Sequence, residues 1–572
     1  MESVNIAERS DNKSTSLSAL SALLALASVA LAVFHGIKGD MSVALGNGAV
    51  SYAIGALAAL AGVVLIINSI KNKKYMSAVF GIVQVTGFAC FVVLCGGKLD
   101  CMATLSVDHL ASTMIAVTGL MGAIVMWRTG MGITVLVSVL GVDGLVLSDD
   151  LMLMYLFWNI LAVSSYALIK RDGKHNEEMA GKMLSYNVCA GLGFVVGIVV
   201  SGIVFETVDI SAINLIETVY SDLVAVPAIF IVLAGMIRAM QMPFQGWFAT
   251  EYLTSAGVGS LIQAITMVNS GVLVVIKMAP TMGISNFAGL MAIIVGAVTF
   301  FISSLNAVTE TNVRKMLTES TAATMGLIIV CAGIGTSESI WAAIMLLVFH
   351  TVAKPLILAG TEYPKLRTDM VMAVIVMMIA PFAIVLLRRE SMGSIADTGN
   401  IILIIMICFS GAMAVFYWTK WLGRLIAEAI TDGIEPIKLK EFNPMKANAW
   451  LLILLIVGFP VISRYMVVPY MEGLFGGMSA AANLTDSILG SVVIALAVAL
   501  AAYPIYKGIR PEEQETSAED DEDQEHDVRE MIMQSTITIK IRMICGIVSI
   551  GMIVICVGFI IVNLIGLLGG VV

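Results

Sequence analysis

The stretch FIVLAGMIRAMQMPFQGWFATEYLTSAGVGSLIQAITMVNSGVLVVIKMAP, residues 230–280, decides the fold. Two apolar segments flank a polar break marked by Pro243, and Arg238 and Lys277 lie within the apolar sequence. A charge inside a membrane helix costs at least about 2.5–3.5 kcal/mol on insertion scales. A break at mid-membrane leaves unpaired backbone groups, which persist only inside protein or beside water. A buried charge next to a broken helix therefore predicts an ion pathway. The alternative is that Arg238 ends its helix early and reaches the lipid headgroups.

The composition of the 572-residue chain indicates a polytopic membrane protein. Hydrophobic residues make up 59% and charged residues 13% of the chain, and the mean hydropathy is +0.96. Soluble domains carry about 25% charged residues. We count about 17 apolar segments long enough to span a bilayer, so the predicted fold class is an all-α, polytopic transmembrane helix bundle. The polar N-terminal sequence contains no cleavable signal pattern.

The cysteines argue against a cofactor. All 8 are scattered, and no CxxC pair occurs, which excludes an Fe–S or zinc site of the usual spacing. We therefore expect no cofactor and no metal site. The chain has no recognisable flavin, Fe–S or nickel ligands, so we expect it to perform no redox chemistry itself. Whether it belongs to an enzyme depends on its complex.

Loop charges predict the orientation. Alternate loops are positive, through Lys71, Lys73, Lys74, Lys170, Arg171, Lys174, Arg314, Lys315, Lys365, Arg367, Lys438, Lys440, Lys507 and Arg510. By the positive-inside rule these loops and the N-terminus face the cytoplasm, in a cell-membrane protein. Arg388 and Arg389 violate the alternation.

Further ionisable side chains recur in apolar segments. His350 and Lys354 are four residues apart, so they share one helix face and can exchange a proton through water. Pro355 loosens the helix directly after Lys354. Lys420 and Lys315 are also candidates. Each can equally be a positive charge at a cytoplasmic helix end, and we favour that interpretation for Lys315.

Three blocks of sequence resemble a known family. They are DDLMLMYLFWNILAVSSYALI at 149–169, RAMQMPFQGWFATEYLTSAGVGSLIQAITMVNSGV at 238–272, and NVRKMLTESTAATMGLIIV at 312–330 together with VFHTVAKPLILAG at 348–360. The chain resembles the antiporter-like membrane subunits of respiratory complex I, Mrp cation/proton antiporters and membrane-bound energy-converting hydrogenases. The similarity covers roughly residues 130–430, and the combination of blocks is specific where one block would be weak.

The resemblance implies two inverted five-helix repeats, each with a broken helix and a half-channel. By position, Arg238 takes the place of the broken-helix lysine and His350 that of the histidine before the central lysine. Lys354 takes the place of the central lysine itself. Lys420 takes the place of the outer lysine of the second broken helix.

The departures from the family pattern concern the first half-channel. Asn159 stands where the family has a glutamate after Phe-Trp, and Gln263 stands where it has a histidine. Arg238 replaces a lysine and hardly deprotonates, and the Pro-x-Pro of the break is Ser255-Ala256-Gly257. Asp143, on the preceding helix of the same hairpin, is the candidate replacement for the missing acid.

The resemblance also suggests a domain division. It comprises N-terminal transmembrane helices at 1–104, an antiporter-like ion-translocating core at 105–430, C-terminal bundle helices at 431–510, an acidic linker at 511–540 and a terminal transmembrane helix at 541–572. The acidic run at 511–528 is interpreted as a solvated linker.

The predicted function is translocation of protons or sodium by a membrane subunit of a redox-driven ion pump. The expected partners are other membrane subunits, both antiporter-like ones and those that anchor a quinone or hydrogenase arm. An energy-converting hydrogenase is the preferred parent complex, and complex I and Mrp remain open. No nucleic-acid partner is expected. The alternatives are a stand-alone transporter for a small anion, with Arg238 as counter-charge, and a structural subunit with a degenerate first half-channel.

Overall fold

Apolar segments of membrane length form helices, because a helix satisfies its backbone hydrogen bonds internally in a medium without water. The computed structural model describes residues 2–46, parts of 52–92, and residues 103–475 apart from 174–176, 218–220, 248–253, 284, 363–367, 387–388 and 433–442. Within these ranges the chain is a helical bundle with one small sheet, which confirms the predicted fold class.

Within the described residues, and apart from the helical fragments in 52–92, the N-terminal half has two strands and nine α-helices. In chain order they are α1 (Glu2–Lys38), β1 (Met41–Gly46), β2 (Ala103–Val107), α2 (His109–Thr129), α3 (Gly132–Leu147), α4 (Leu151–Asp172), α5 (Glu177–Phe205), α6 (Ile210–Glu217), α7 (Ser221–Arg238), α8 (Ala256–Ser260) and α9 (Met267–Lys277). A π-helical segment, Leu261–Ile265, joins α8 to α9.

The C-terminal half of the described chain contains nine further α-helices. They are α10 (Phe287–Thr309), α11 (Val313–Ile334), α12 (Ser337–Gly360), α13 (Thr368–Pro381), α14 (Arg389–Ala396), α15 (Ile401–Asp432), α16 (Pro444–Val457), α17 (Phe459–Ile462) and α18 (Val468–Phe475). The core lies around α9, α11 and α12, whose apolar windows are 94–100% buried within the bundle.

The number of spans differs from the sequence count. Ten described helices are long and apolar enough to cross a membrane, or eleven if Pro444–Val457 and Phe459–Phe475, bent by 68°, form one broken span. The shorter helices Gly132–Leu147 and Ala225–Arg238 are also apolar. The count of about 17 is therefore not confirmed. Two predicted spans, near 485–507 and 541–567, lie outside the described residues.

The first broken span lies where the sequence predicts it. Helix α7 ends at Arg238, and the chain continues through a turn and the short 3₁₀ segment Phe244–Trp247. In the second half, the position of the break was predicted wrongly. The region around Lys420 is part of the continuous helix α15, whereas the irregular span is α13, which contains Pro381 and continues as π-helix into Phe382–Leu386.

The sheet is a second departure from the all-α prediction. Strands β1 and β2 pair antiparallel with Met41 opposite Val107. The predicted span beginning near 105 therefore starts later, at His109, where the Asp108 side chain accepts a hydrogen bond from Ala111 N and caps α2. Strands of five or six residues within an apolar sequence carry little periodic signal, so the sequence did not reveal them.

Two glycines set the distance between α7 and α9. A Cβ atom on Gly235 would lie 2.7 Å from the carbonyl oxygen of Gly271, and a Cβ on Gly271 would lie 2.8 Å from Ala239 N. Neither position has room for a larger residue, as is typical of closely packed membrane helices. This contact brings the end of α7, with Arg238, against the middle of α9.

Candidate ion-translocation site

Lys354 is fully buried in the middle of α12. Its Nζ donates to the Leu317 carbonyl at 2.6 Å and to Ser320 Oγ at 2.5 Å, both on α11. The Trp418 ring of α15 lies with its centroid 5.5 Å from the same Nζ. The ammonium group is therefore held by polar oxygens and an aromatic face deep in the bundle, and does not reach towards headgroups.

His350 lies one helical turn before Lys354 and is likewise fully buried. Neither ring nitrogen has a hydrogen-bond partner within the described residues. Buried polar atoms of native proteins nearly always have a partner, either in the protein or in ordered water. The imidazole is thus placed to bind a small polar species beside Lys354.

Helix α12 is continuous over Ser337–Gly360, but Pro355 interrupts its backbone hydrogen bonds next to these two residues. Pro355 has no N–H, so the carbonyl oxygen of Thr351 loses its helical partner. Asn448 of α16, with its amide oriented to satisfy both atoms, donates to Val352 O at 3.1 Å and accepts from Leu356 N at 3.1 Å. A regular helix joins those two backbone groups directly. The Asn448 side chain therefore supports α12 at its weak point.

Two polar contacts link α11 and α12 to the segment around α9. Thr321 Oγ1 donates to Gln263 Oε1 at 3.1 Å, and Asn269 Nδ2 donates to Thr351 Oγ1 at 2.7 Å. Gln263 lies in the π-helical segment, and Asn269 also donates to the Ala264 carbonyl within that segment at 2.6 Å. Single π-helical turns inside α-helices are frequent at functional sites.

Arg238 is buried in a cage of neutral groups. Its Nε donates to Asn187 Oδ1 at 2.9 Å, its Nη1 to Ser270 Oγ at 3.2 Å and its Nη2 to the Trp158 carbonyl at 3.0 Å. The guanidinium carbon lies 3.2 Å from the centroid of the Trp158 ring. Within the described residues no carboxylate forms an ion pair with Arg238. Arginine keeps its proton in proteins, so this group is a fixed positive charge that ties four helices together.

These hydrogen bonds, together with residues adjacent to them on the same helices, define a series of buried polar side chains across the bundle, which we call the polar chain. Its members are Asn187, Arg238, Ser270, Asn269, Thr351, His350, Lys354, Ser320, Thr321 and Gln263. Ser270 and Asn269 are sequence neighbours on α9, and Ser320 and Thr321 are neighbours on α11. The polar chain thus runs from the end of α7 to Lys354 through side chains that are all buried.

Asn159 and Asp143 lie in separate polar groups. Asn159 Oδ1 accepts from Gln84 Nε2 at 3.2 Å, and Gln84 Nε2 also donates to the Tyr155 hydroxyl at 2.7 Å. Asp143 is buried in α3, and its Oδ1 accepts from Thr118 Oγ1 at 2.6 Å. The structure therefore brings Asp143 into contact with α2 through Thr118.

The remaining candidate cations occupy other environments. Lys420 is half-buried on α15. Lys315 is half-buried in the first turn of α11, which agrees with the interpretation of Lys315 as a positive charge at a helix end. Lys277 is buried but donates to the carbonyls of Val146 and Ser148, each at 2.6 Å. Since those carbonyls close the C-terminal end of α3, Lys277 stabilises a helix end.

The sequence did not identify the amides that hold the site. Asn187, Asn269 and Asn448 connect helices but were not selected as candidates. Each is an uncharged polar residue in an apolar segment, and neutral amides are common enough in membrane helices that position alone does not distinguish them. The one signal in the sequence was at Asn448, which is one of several polar residues at the start of an apolar span.

The architecture and site define a class: a polytopic helical membrane protein whose broken spans surround a buried chain of polar and cationic groups. Residues 148–387 match the family described as "NADH:quinone oxidoreductase/Mrp antiporter, TM". This match covers the central region of the chain and supports the resemblance seen in the sequence.

Among curated proteins, the chain is similar to Staphylococcus aureus proteins named as antiporter subunit mnhA2. The protein of strain MRSA252 is 24% identical over 391 residues, which cover 58% of this chain and 48% of the relative. The protein of strain MSSA476 is 30% identical over 196 residues, covering 34% and 24%. The chain thus spans about half the length of these relatives.

Solved structures share the fold. A chain of the Mrp complex from Dietzia sp. DQ12-45-1b matches with a TM-score of 0.55 and 18% identity, covering 86% of this chain and 60% of that one. A chain of the archaeal membrane-bound sulfane sulfur reductase gives 0.51 and 17%, covering 79% and 99%. A chain of respiratory complex I from Thermus thermophilus gives 0.50 and 15%, covering 73% and 99%.

Proposed function

We propose that this chain is an ion-translocating, antiporter-like membrane subunit of a larger complex, moving protons or sodium through the second half of its bundle. The observation that carries the proposal is the buried pair His350 and Lys354 in the interrupted helix α12. A charged or titratable group inside a membrane domain is costly and usually functional. His350 also has two buried ring nitrogens that contact no protein partner among the described residues, so water or a transferred proton is the expected occupant.

The polar chain supplies the route in this proposal. Hydroxyl and amide groups can orient water or pass a proton between titrating sites, whereas a permanently charged arginine cannot release one. Arg238 therefore sets the local electrostatic field and does not carry the ion. Lys354, His350 and the neighbouring hydroxyls carry it. The roles of Lys420, Gln263, Asn159 and Lys315 remain part of this proposal as secondary contributors to the path.

The test is the variant Lys354→Ala in the chain assembled with the products of its neighbouring genes. In inverted membrane vesicles, ion translocation followed with a pH-sensitive dye is expected to be lost, because the central titrating group is removed. Lys170→Ala is the matched control, since that lysine is exposed and pairs with Glu177 at the surface. Unchanged translocation in Lys354→Ala, with assembly intact, would contradict the proposal.

Asp143 is proposed as the acid of the first half-channel. It is buried, and within the described residues its carboxylate accepts a hydrogen bond from Thr118. Asp143→Asn keeps the shape of the side chain and removes its charge, so ion coupling in the assembled complex is expected to fall. Thr118→Val is the companion variant, because it removes the hydrogen bond and leaves the carboxylate. Full coupling in Asp143→Asn would exclude the role.

The alternatives differ in how well the geometry supports them. A stand-alone anion transporter requires Arg238 to face a substrate, but all three guanidinium nitrogens donate to protein acceptors and the residue is 1% exposed. Two observations favour a structural role for the first half: the neutral acceptors that surround Arg238, and Asn159 in the place of an acid. We therefore propose that the second half carries the main ion path, with Asp143 as a secondary contributor from the first half.

We also propose the setting of the subunit. The fold relatives are membrane subunits of multi-subunit assemblies, so other membrane subunits are the expected partners, and an energy-converting hydrogenase is our preferred parent complex. The loop charges support a cytoplasmic N-terminus in the cell membrane. The five-part division at residues 104, 430, 510 and 540 is part of this proposal. The genes that flank this one would identify the parent complex.

A further inference from the structure

We propose that His35, Asp40 and His109 form a binding site for Zn²⁺ or a similar divalent transition metal. His35 Nε2 lies 2.9 Å from Asp40 Oδ1, and His109 Nε2 lies 3.9 Å from the same oxygen. The three potential ligand atoms all lie within 4.8 Å of one another. None of the three residues belongs to the polar chain, so the site is separate from the proposed ion path.

The fold builds this cluster from three places in the sequence. Helix α1 ends just after His35, where Gly39 N donates to the His35 carbonyl at 2.8 Å. Gly39 has a φ of +79°, a left-handed conformation that glycine adopts without strain and that turns the chain back. Asp40 then precedes β1, whose register sets Met41 opposite Val107. The same register brings Asp40 close to His109, the first residue of α2.

The ligand geometry suits a tetrahedral metal. Zn²⁺ binds imidazole nitrogen and carboxylate oxygen at about 2.0–2.2 Å, which places tetrahedral ligand atoms about 3.3–3.5 Å apart. The observed separations of 2.9 and 3.9 Å lie on either side of that value, so small side-chain rotations would complete the geometry. The imidazole rings are nearly perpendicular, at 84°, with centroids 4.5 Å apart. Two histidines and one carboxylate leave the fourth position for water, as in open zinc sites.

The chemistry of the cluster also favours a metal over a simple ion pair. Both imidazoles face the same carboxylate oxygen with ring centroids 4.5 Å apart, so an ion pair with one imidazole leaves the other beside it. A divalent cation instead binds both imidazoles in their neutral form. His35 is 2% exposed and Asp40 68% exposed, so one ligand is anchored in the bundle and another faces the entry path. The cysteine spacing predicts no metal site, whereas these two histidines and one aspartate form no sequence motif that would reveal one.

The test is zinc binding by the full-length chain purified in detergent and stripped with a chelator. Competition against a chromophoric zinc indicator is expected to show one Zn²⁺ per chain. Removing a residue that only supports a metal ligand costs up to about 100-fold in metal affinity. Removing a ligand itself costs more, so His35→Ala and His109→Ala are each expected to weaken binding by at least about 100-fold. Lys38→Ala is the control, because it changes the same turn of α1 without removing a ligand.

A second measurement keeps the result independent of misfolding. Zn²⁺ is expected to raise the melting temperature of the unaltered chain, and His109→Asn, which keeps a polar side chain, should fold but lose that increase. Co²⁺ bound in place of zinc is expected to give the intense visible absorption of a four-coordinate site. The proposal is overturned if the unaltered chain binds Zn²⁺ no more tightly than the double variant His35→Ala/His109→Ala. It is also overturned if bound Co²⁺ shows only weak six-coordinate bands.

Discussion

At the scale of single residues, the three buried ionisable groups of the site differ in what surrounds them. Arg238 donates to three neutral acceptors and stacks on Trp158, so its position is fixed. Lys354 has a more adaptable shell of one carbonyl and one hydroxyl near the Trp418 ring. His350 contacts no protein partner through its ring nitrogens within the described residues. We therefore interpret Arg238 as a fixed structural charge, and Lys354 and His350 as the groups proposed to carry the ion.

The environment of His350 leads to a prediction that separates stability from function. Replacing an unsatisfied buried polar group by an apolar one removes a desolvation cost of about 1–3 kcal/mol. His350→Leu is therefore expected to leave the melting temperature in detergent unchanged or higher, while ion translocation in vesicles falls severely. Thr324→Val, on the buried face of α11, is the control, because within the described residues that hydroxyl donates to its own helix, at Ser320 O. A His350→Leu variant that translocates normally would show that the imidazole is only a packing residue.

The sequence revealed some of these residues and concealed others for physical reasons. Arg238, His350 and Lys354 could be identified because an ionisable group is conspicuous in an apolar segment. Asn187 and Asn269 could not, because their importance lies in which helix they face. Lys420 was assigned to a broken helix from its position relative to the family, although α15 is continuous there. Pro381, together with the Arg388 and Arg389 that violated the charge pattern, was the better signal for the second irregular span.

At the scale of elements, the start of α8 explains how the chain tolerates the loss of Pro-x-Pro. Asp172 accepts from both Ser255 N and Ser255 Oγ at 2.6 Å, and Glu362 accepts from Ala256 N at 2.7 Å. The first N–H groups of a helix have no partner within it and favour negative charge. Carboxylates from α4 and from the end of α12 therefore fix the helix start that prolines fix in the family.

The interruption of α12 gives a prediction at the same scale. Asn448→Leu removes both hydrogen bonds that α16 makes to the backbone around Pro355. Leaving buried backbone groups without their partner costs about 1–3 kcal/mol each, so the variant is expected to melt at a lower temperature and to translocate ions more slowly. Asn448→Gln is the informative companion, because a longer amide can restore part of the contact. Equal melting temperatures for Asn448→Leu and the unaltered chain would mean that α12 needs no support there.

At the scale of the whole molecule, one face of the bundle is held by charged groups from distant parts of the chain. Glu362 pairs with Arg128 at the end of α2 and lies 3.8 Å from Arg314 at the start of α11. Arg314 also donates to the Thr254 carbonyl at 2.9 Å. The sequence predicted this face to be positive, and the positive charges are in part neutralised by one acid. The helix order was predictable from hydropathy, whereas this closure depends on contacts between residues far apart in the sequence, such as Arg128 and Glu362.

The Glu362 contacts lead to a prediction about salt. Exposed ion pairs contribute about 0.2–1 kcal/mol and are screened by salt. Glu362→Gln is therefore expected to lower the melting temperature slightly at low ionic strength, with the difference from the unaltered chain shrinking as salt is added. Glu178→Gln serves as the reference, since Glu178 pairs with Lys182 within one helix. A large decrease that salt does not alter would indicate that Glu362 has a role beyond charge pairing.

The support of α12 by Asn448 has a consequence for how such a subunit responds to its neighbours. Asn448 lies in α16, beyond the family-matched region that ends at residue 387, yet its amide holds the backbone immediately around Lys354. A partner subunit that displaced the C-terminal helices would therefore also displace the backbone that carries Lys354. Such a displacement would reach this lysine mechanically, without a charge passing between the two proteins.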